Sequence, residues 1–101
     1  MRVPFVDLER VIVPWTKLHG FRFSVTTVDG DERAQVEVDA AGQRFAIEAF
    51  ALDAFGNVGV DLERDARGVR HAFTGPLPDL LRMLEEVRRA IHELPPAGDL
   101  N

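Results

Sequence analysis

Five short runs of alternating apolar and polar residues occupy the middle of the chain, between Phe21 and Thr74. A period of two is typical of strands with one face on a core and the other in water. Turn-forming sequences separate the runs, beginning with Asp29-Gly30 and Ala41-Gly42. The pattern predicts five strands joined by short hairpins, over residues 20–28, 32–40, 43–51, 56–64 and 69–74.

The loop lengths predict how these strands align. Two-residue turns close the first two hairpins, and four-residue loops at 52–55 and 65–68 close the others. The resulting row of cross-strand neighbours is Phe23, Val36, Ile47, Val60 and Phe73. Because every hairpin then keeps its apolar residues on one face, we expect an antiparallel meander in the order 1-2-3-4-5. Gly59 lies inside the fourth run, where a glycine favours a β-bulge or a close approach by a partner.

Two segments of helical periodicity flank the strands, over residues 4–19 and 77–94. Gly20 follows the first segment as a stop signal, and Pro14 inside it is expected to kink or split the helix. The second segment has a stripe of Leu80, Leu84, Val87, Ile91 and Leu94. We therefore expect one α+β domain over residues 1–101, with both helices on the apolar face of the sheet and a mobile tail at 95–101.

Composition narrows the classes of function. The 101 residues include 17 acidic and 12 basic ones, which gives a net charge of −5. This balance argues against binding to nucleic acid or to anionic membranes. The absence of cysteine excludes disulfides, thiolate metal sites and cysteine nucleophiles. Charges at Asp7, Glu9 and Arg10 interrupt any secretory signal, so a cytoplasmic location is the expectation.

No arrangement of residue types predicts catalysis, a metal or a cofactor. The three histidines, His19, His71 and His92, have no helical metal-site spacing. Asp29-Gly30-Asp31-Glu32 resembles part of a calcium loop, but the twelfth position is Ala40 rather than the glutamate that such a loop requires. It is interpreted as a hairpin turn.

One corner of the predicted sheet departs from a purely structural pattern. Phe50 falls on the outer face, and Leu52 and Phe55 fall in the following loop, with Asn57 beside them. These residues either fold over the edge of the core or form an exposed contact patch. With the acidic charge, they favour a non-enzymatic module that binds another protein, such as an inhibitor, immunity-type protein, chaperone or adaptor. A homodimer is a milder version of this expectation, in which the partner is a second copy of the chain.

The alternative is a small-ligand-binding or catalytic domain. It requires the sheet to curl, so that helices and sheet enclose a pocket near Trp15, His19 and His71. In a flat sheet the two histidines lie near opposite edges, roughly 19 Å apart.

Overall fold

The computed structural model describes residues 2–40, 42–64 and 69–93 of the chain. Helix α1 covers Phe5–His19. Gly20 ends it in the left-handed conformation, with φ +71°, which glycine adopts without strain. The N–H groups of Gly20 and Phe21 donate to the carbonyls of Lys17 and Thr16 at 3.4 and 2.9 Å, the pattern of a Schellman cap. The predicted helix stop is confirmed.

Pro14 lies within α1 without dividing it. The helix is continuous over its 15 residues, so the split considered from the sequence does not occur. The apolar stripe of Leu8, Ile12 and Trp15 is buried. This packing holds the helix together where a proline removes one backbone hydrogen bond.

Five strands form one antiparallel sheet in the order β1-β2-β3-β4-β5, as predicted. They are β1 (Arg22–Val28), β2 (Asp31–Ala40), β3 (Gln43–Ala51), β4 (Asn57–Arg64) and β5 (Val69–Pro76). Asp29 and Gly30 both have positive φ, 52° and 84°, which identifies the type I′ hairpin expected for Asp-Gly. The first two hairpins align Phe23 with Val36 and Val36 with Ile47, as predicted.

The alignment of β3 with β4 differs from the predicted alignment by two residues. Ile47 lies opposite Leu62 rather than Val60. The loop has the predicted four residues but lies one residue later, at 53–56, because the Leu52 N–H donates to the Asn57 carbonyl at 2.9 Å and makes these two residues the closing pair. A shift of two residues keeps every side chain on its own face. The predicted core face is therefore right, and the predicted alignment across this hairpin is wrong.

Strand β5 pairs with β4 in the predicted register, with Val60 opposite Phe73. The loop between these strands, residues 65–68, lies outside the described ranges. The pairing shifts between Leu62 and Glu63, which marks a β-bulge there. The bulge favoured at Gly59 from the sequence is wrong, since Gly59 pairs regularly with both neighbouring strands.

Helix α2 covers Leu80–Glu93 and follows a 3₁₀ turn at Leu77–Asp79. The segment predicted as one helix thus begins with a tighter turn. The buried residues of α2 are Leu80, Met83, Leu84, Val87 and Ile91. The predicted mobile tail lies outside the described residues. Within those residues, neither helix is long and apolar enough to cross a membrane.

The two helices form one layer and the sheet forms the other. Helix α1 packs mainly over β2 and β3, and α2 packs over β4 and β5. The buried apolar residues of the sheet are Ala34, Val36, Val38, Phe45, Ile47, Ala49, Val58, Val60 and Leu62. Among the side chains that the structure describes, all of them belong to β2, β3 and β4, so the helical layer covers the centre of the sheet more fully than its edges.

Candidate functional site

The loop between β3 and β4 is held by the side chain of Asp53. Its Oδ1 accepts hydrogen bonds from the backbone N–H of Phe55 at 2.8 Å and of Asn57 at 3.3 Å, and its Oδ2 accepts one from Asn57 Nδ2 at 2.8 Å. The Leu77 N–H donates to the Gly56 carbonyl at 3.2 Å. The bonds from the Asn57 side chain and the Phe55 N–H lower the pKa of Asp53, because they favour its ionised form.

The ordered loop directs Phe55 into solvent. This residue exposes 84% of its surface, and Leu52 at the start of the loop is also exposed. Of the two arrangements considered from the sequence, folding of Phe55 over the core edge does not occur. Three of the four predicted contact residues, Leu52, Phe55 and Asn57, thus lie together in residues 52–57, here named the Phe55 loop.

Phe50, the fourth predicted contact residue, lies on the outer face of the sheet. Its ring covers Gly59, because a Cβ at that glycine would lie 2.6 Å from Phe50 Cζ. The Arg33 guanidinium carbon lies 4.5 Å from the ring centroid, a cation–π contact, and Arg33 Nη1 donates to Glu48 Oε1 at 2.6 Å. The register shift places Gly59, rather than Asn57, opposite Phe50. Intramolecular contacts therefore account for the half-buried state of Phe50.

A second candidate site is an apolar groove between α1 and α2, here named the helix groove. Its volume is about 420 Å³, and its lining residues are Arg10, Val11, Pro14, Trp15, Leu18, Leu81 and Glu85. Leu18 exposes 76% of its surface, and Leu81 about half. Large exposed aliphatic side chains on two neighbouring helices form a continuous apolar surface.

Trp15 forms the buried wall of the helix groove. Its ring packs edge-on against His19 and Phe21, with centroids 5.5 and 5.3 Å apart. His19 stacks on Phe21 at 5.3 Å. The Schellman cap explains this cluster, because it reverses the chain at Gly20 and brings Phe21 back onto the last turns of α1.

Glu85 of α2 lies beside this aromatic cluster. Its Oε1 is 3.8 Å from His19 Nε2, and its Oε2 accepts a 2.6 Å hydrogen bond from Arg88 Nε. That bond lowers the pKa of Glu85, with smaller lowering effects from Trp15 and His19. Trp15 Nε1 and His19 Nε2 are buried and lack a partner of full hydrogen-bond geometry among the described residues. The largely apolar helix groove is therefore bordered by an ionised carboxylate, with Arg10 as the other charged residue of its lining.

His71, the third residue of the predicted pocket, lies elsewhere in the fold. It is opposite Leu62 on β5 and stacks on Phe73 with centroids 6.5 Å apart. The structure brings Trp15 and His19 together and leaves His71 at the far edge of the sheet. In the described part of the chain, no three His, Asp or Glu side chains converge where they could hold a metal.

Two residues that shape these sites were not singled out from the sequence. Asp53 precedes Phe55 and Asn57 by two and four residues, the spacing of an Asx turn, so a local signal for the ordered loop was present. Glu85 has no such signal. It reaches His19 only because two helices distant in sequence pack side by side.

Comparison with protein-family models, curated proteins and solved structures found no significant match to this chain.

Proposed function

We propose that this chain is a non-enzymatic, acidic protein–protein interaction module that binds its partner through the Phe55 loop. The observation that carries this proposal is an exposed phenyl ring on a loop held by three hydrogen bonds to Asp53. A loose loop would let the ring fold back onto the protein. The ordered loop instead keeps Phe55 in water, where it contributes nothing to the core.

The energetics of this loop suit binding. Burial of a phenylalanine side chain in a partner contributes roughly 1.5–3 kcal/mol. Because Asp53 already orders the loop, little of this gain is offset by lost conformational entropy. Leu52 provides an apolar surface beside the ring, and aromatic side chains are enriched in the buried centres of interfaces.

Charge defines the surface that such a partner should present. The chain has a net charge of −5, and the lowered pKa of Asp53 keeps a negative charge within the loop. The fitting partner is a protein with an apolar pocket for a phenyl ring and a basic rim around it. Attraction between opposite charges accelerates such association and weakens as salt is added.

The proposal is tested by affinity capture from a lysate of the source cells with three tagged proteins. These are the wild type, Phe55→Ser and Leu18→Ser, a control that removes an exposed apolar side chain from the helix groove. We expect a stoichiometric protein that the wild type and Leu18→Ser retain and that Phe55→Ser retains at least about tenfold less strongly. Thermal unfolding checks the fold, since exposed substitutions change stability by only about 0.5 kcal/mol.

Two results would contradict this assignment. If Leu18→Ser loses the captured protein and Phe55→Ser retains it, the binding site is the helix groove and not the Phe55 loop. If the double variant Phe50→Ala/Phe55→Ala leaves every partner interaction and the oligomeric state unchanged, the predicted corner is not a binding site.

A second candidate function, small-ligand binding, is favoured by the carboxylate of Glu85 at the border of the helix groove. The fitting ligand is a small apolar molecule with a positively charged or hydrogen-bond-donating group. Trp15 is the single tryptophan, so its fluorescence reports binding during titration with primary alkylamines of graded length. We expect a saturable change in the wild type and a smaller one in Glu85→Gln. Unchanged emission at all chain lengths would contradict this second function.

A further inference from the structure

Strand β1 has one unpaired backbone edge in the described part of the chain, since it lies at the end of the sheet and pairs with β2. In a two-residue hairpin the pair next to the turn, Val28 and Asp31, exchanges hydrogen bonds, and bonded pairs recur at every second residue. The even-numbered residues of β1 therefore bond to β2. Phe23, Val25 and Thr27 direct their backbone N–H and C=O groups away from the sheet.

The apolar face of β1 is also incompletely covered. Val25 shares a face and a cross-strand row with the buried residues Ala34 and Ala49, yet 43% of its surface is exposed. Phe23, its neighbour on that face, is half-buried. Helix α1 packs mainly over β2 and β3 and reaches β1 to a smaller extent, so the helical layer leaves Val25 on this edge partly uncovered.

The opposite edge of the sheet has features that hinder pairing with another strand. Strand β5 contains a register shift opposite Leu62 and Glu63 and ends in Gly75 and Pro76. Strand β1 has the sequence RFSVTTV, in which Arg22 is the only charge and neither proline nor glycine occurs. Bulges, prolines and charges are the features by which edge strands avoid association. Of the two edges, β1 is the one suited to it.

From these observations we infer that two copies of this chain associate through β1, with the two strands antiparallel about a two-fold axis at Val25. The two sheets then form one continuous ten-stranded sheet. In this register the two Val25 residues face each other, and Phe23 of each copy lies opposite Thr27 of the other. About six backbone hydrogen bonds form across the axis. The same surface patch serves both copies, as a two-fold interface requires.

The charges at the two ends of β1 favour this antiparallel arrangement. Lys17, the single lysine of the chain, lies in the last turn of α1 just before β1. Asp29 and Glu32 lie at the other end of β1. Within the described residues neither acid forms an ion pair, whereas Asp31 between them pairs with Arg2. At the Lys17 end, Arg22 is already paired with Glu37 and Asp39, so Lys17 is, of the residues described at this end, the cation that remains for a partner. Antiparallel association brings Lys17 of each copy toward the acidic end of β1 in the other, whereas parallel association would bring like charges together.

The first test is the oligomeric state of the full chain, measured by sedimentation equilibrium from micromolar to millimolar concentration. We expect the wild type to dimerise. Val25→Lys places two like charges at the axis and should weaken dimerisation at least about tenfold, while Phe55→Ser should dimerise like the wild type. A wild type that stays monomeric, or a Val25→Lys variant that dimerises equally well, overturns the inference. The interface lacks Phe55, so its failure leaves the proposed function untouched.

Single cysteines test the register, since the chain contains no other cysteine. In the inferred dimer the Cα atoms of two Val25→Cys residues lie about 5.5 Å apart, within the range of a disulfide. Val28→Cys is a matched control on the same strand with similar exposure. Its two copies lie roughly 20 Å apart. Mild oxidation should cross-link the first variant and not the second; equal cross-linking, or the reverse, contradicts the inferred register.

A charge exchange tests the antiparallel direction. Lys17→Glu and Glu32→Lys should each weaken dimerisation, because each places like charges at both ends of the interface. The double variant should recover most of the lost affinity. Single variants that dimerise like the wild type would contradict the antiparallel pairing of these ends.

Discussion

Replacement of a glycine within a strand by alanine usually stabilises a protein, but we expect Gly59→Ala to destabilise this one. Gly59 is not among the positive-φ residues, so alanine fits its backbone. By itself the substitution would stabilise the protein by roughly 0.4–1 kcal/mol, because alanine lowers the conformational entropy of the unfolded chain. The new Cβ, however, would lie 2.6 Å from Phe50 Cζ and 2.8 Å from Phe50 Cε2. The phenyl ring must therefore move off the sheet, and its contact with Arg33 changes with it.

The magnitude follows from these opposing effects. Overpacking of this kind costs about 1–3 kcal/mol, of which the cation–π contact accounts for about 0.5–1 kcal/mol. We expect a net loss of about 1 kcal/mol, which corresponds to a fall in Tm of roughly 4–8 °C for a domain of this size. In a Phe50→Ala background the ring is absent, and Gly59→Ala should stabilise by about 0.5 kcal/mol. The coupling free energy between the two positions is then about 1.5 kcal/mol.

The assay is a double-mutant cycle with the wild type, the two single variants and the double variant. Urea unfolding is followed by the fluorescence of Trp15, the single tryptophan, which is 3% exposed in the folded chain. Equal m-values confirm that each protein exposes the same surface on unfolding. A Gly59→Ala variant that gains the same stability in both backgrounds would falsify the assignment of Phe50 as the ring that covers this glycine.

Two further predictions concern α1 and the outer face of the sheet. Pro14→Ala should stabilise the protein by about 2 kcal/mol. A proline inside a helix costs about 3 kcal/mol, but it also restricts the unfolded chain, and this restriction offsets part of the cost. An unchanged urea midpoint would contradict this prediction. Burial raises the pKa of Asp61 above its ordinary 3.8, and Glu48 raises it further while Arg33 acts against both. The ionised form of Asp61 therefore destabilises the folded state. This destabilisation is absent when Asp61 is protonated and complete above the raised pKa, so Asp61→Asn should stabilise the protein at neutral pH but not near pH 3. Urea unfolding at both pH values checks this, and equal effects would contradict it.

The alternation of residue types determined which face of each strand is buried. It did so because successive side chains of a strand point to opposite faces, so burial depends on sequence parity alone. The same parity could not detect the shift that aligns Ile47 with Leu62, since a shift of two residues changes no face. That alignment depends on where the Leu52–Asn57 hydrogen bond closes the loop, and Asp53 holds the loop in that form.

The candidate sites also depend partly on local sequence and partly on tertiary packing. Leu52, Phe55 and Asn57 could be grouped from the sequence because they are close along the chain. The surroundings of Phe50 could be predicted only in part. Arg33 is its neighbour in the predicted alignment of β2 and β3, whereas Gly59 lies opposite its ring only because of the two-residue shift between β3 and β4. Of the three residues of the predicted pocket, Trp15 and His19 lie together, since both belong to the last turns of α1. His71 is on β5, at the edge of the sheet opposite β1, over which α2 packs.

By itself, then, the sequence determined the fold class, the strand order, the buried faces and the Gly20 and Asp29-Gly30 turns. Each of these depends on interactions within a few residues or on a repeating pattern that one strand shares with the next. Tertiary structure alone decided that Phe55 faces solvent, that Glu85 borders the groove beside Trp15, and that the helical layer leaves Val25 exposed. These features depend on the position of a helix or loop relative to strands distant in sequence, and a local pattern carries no information about such distances.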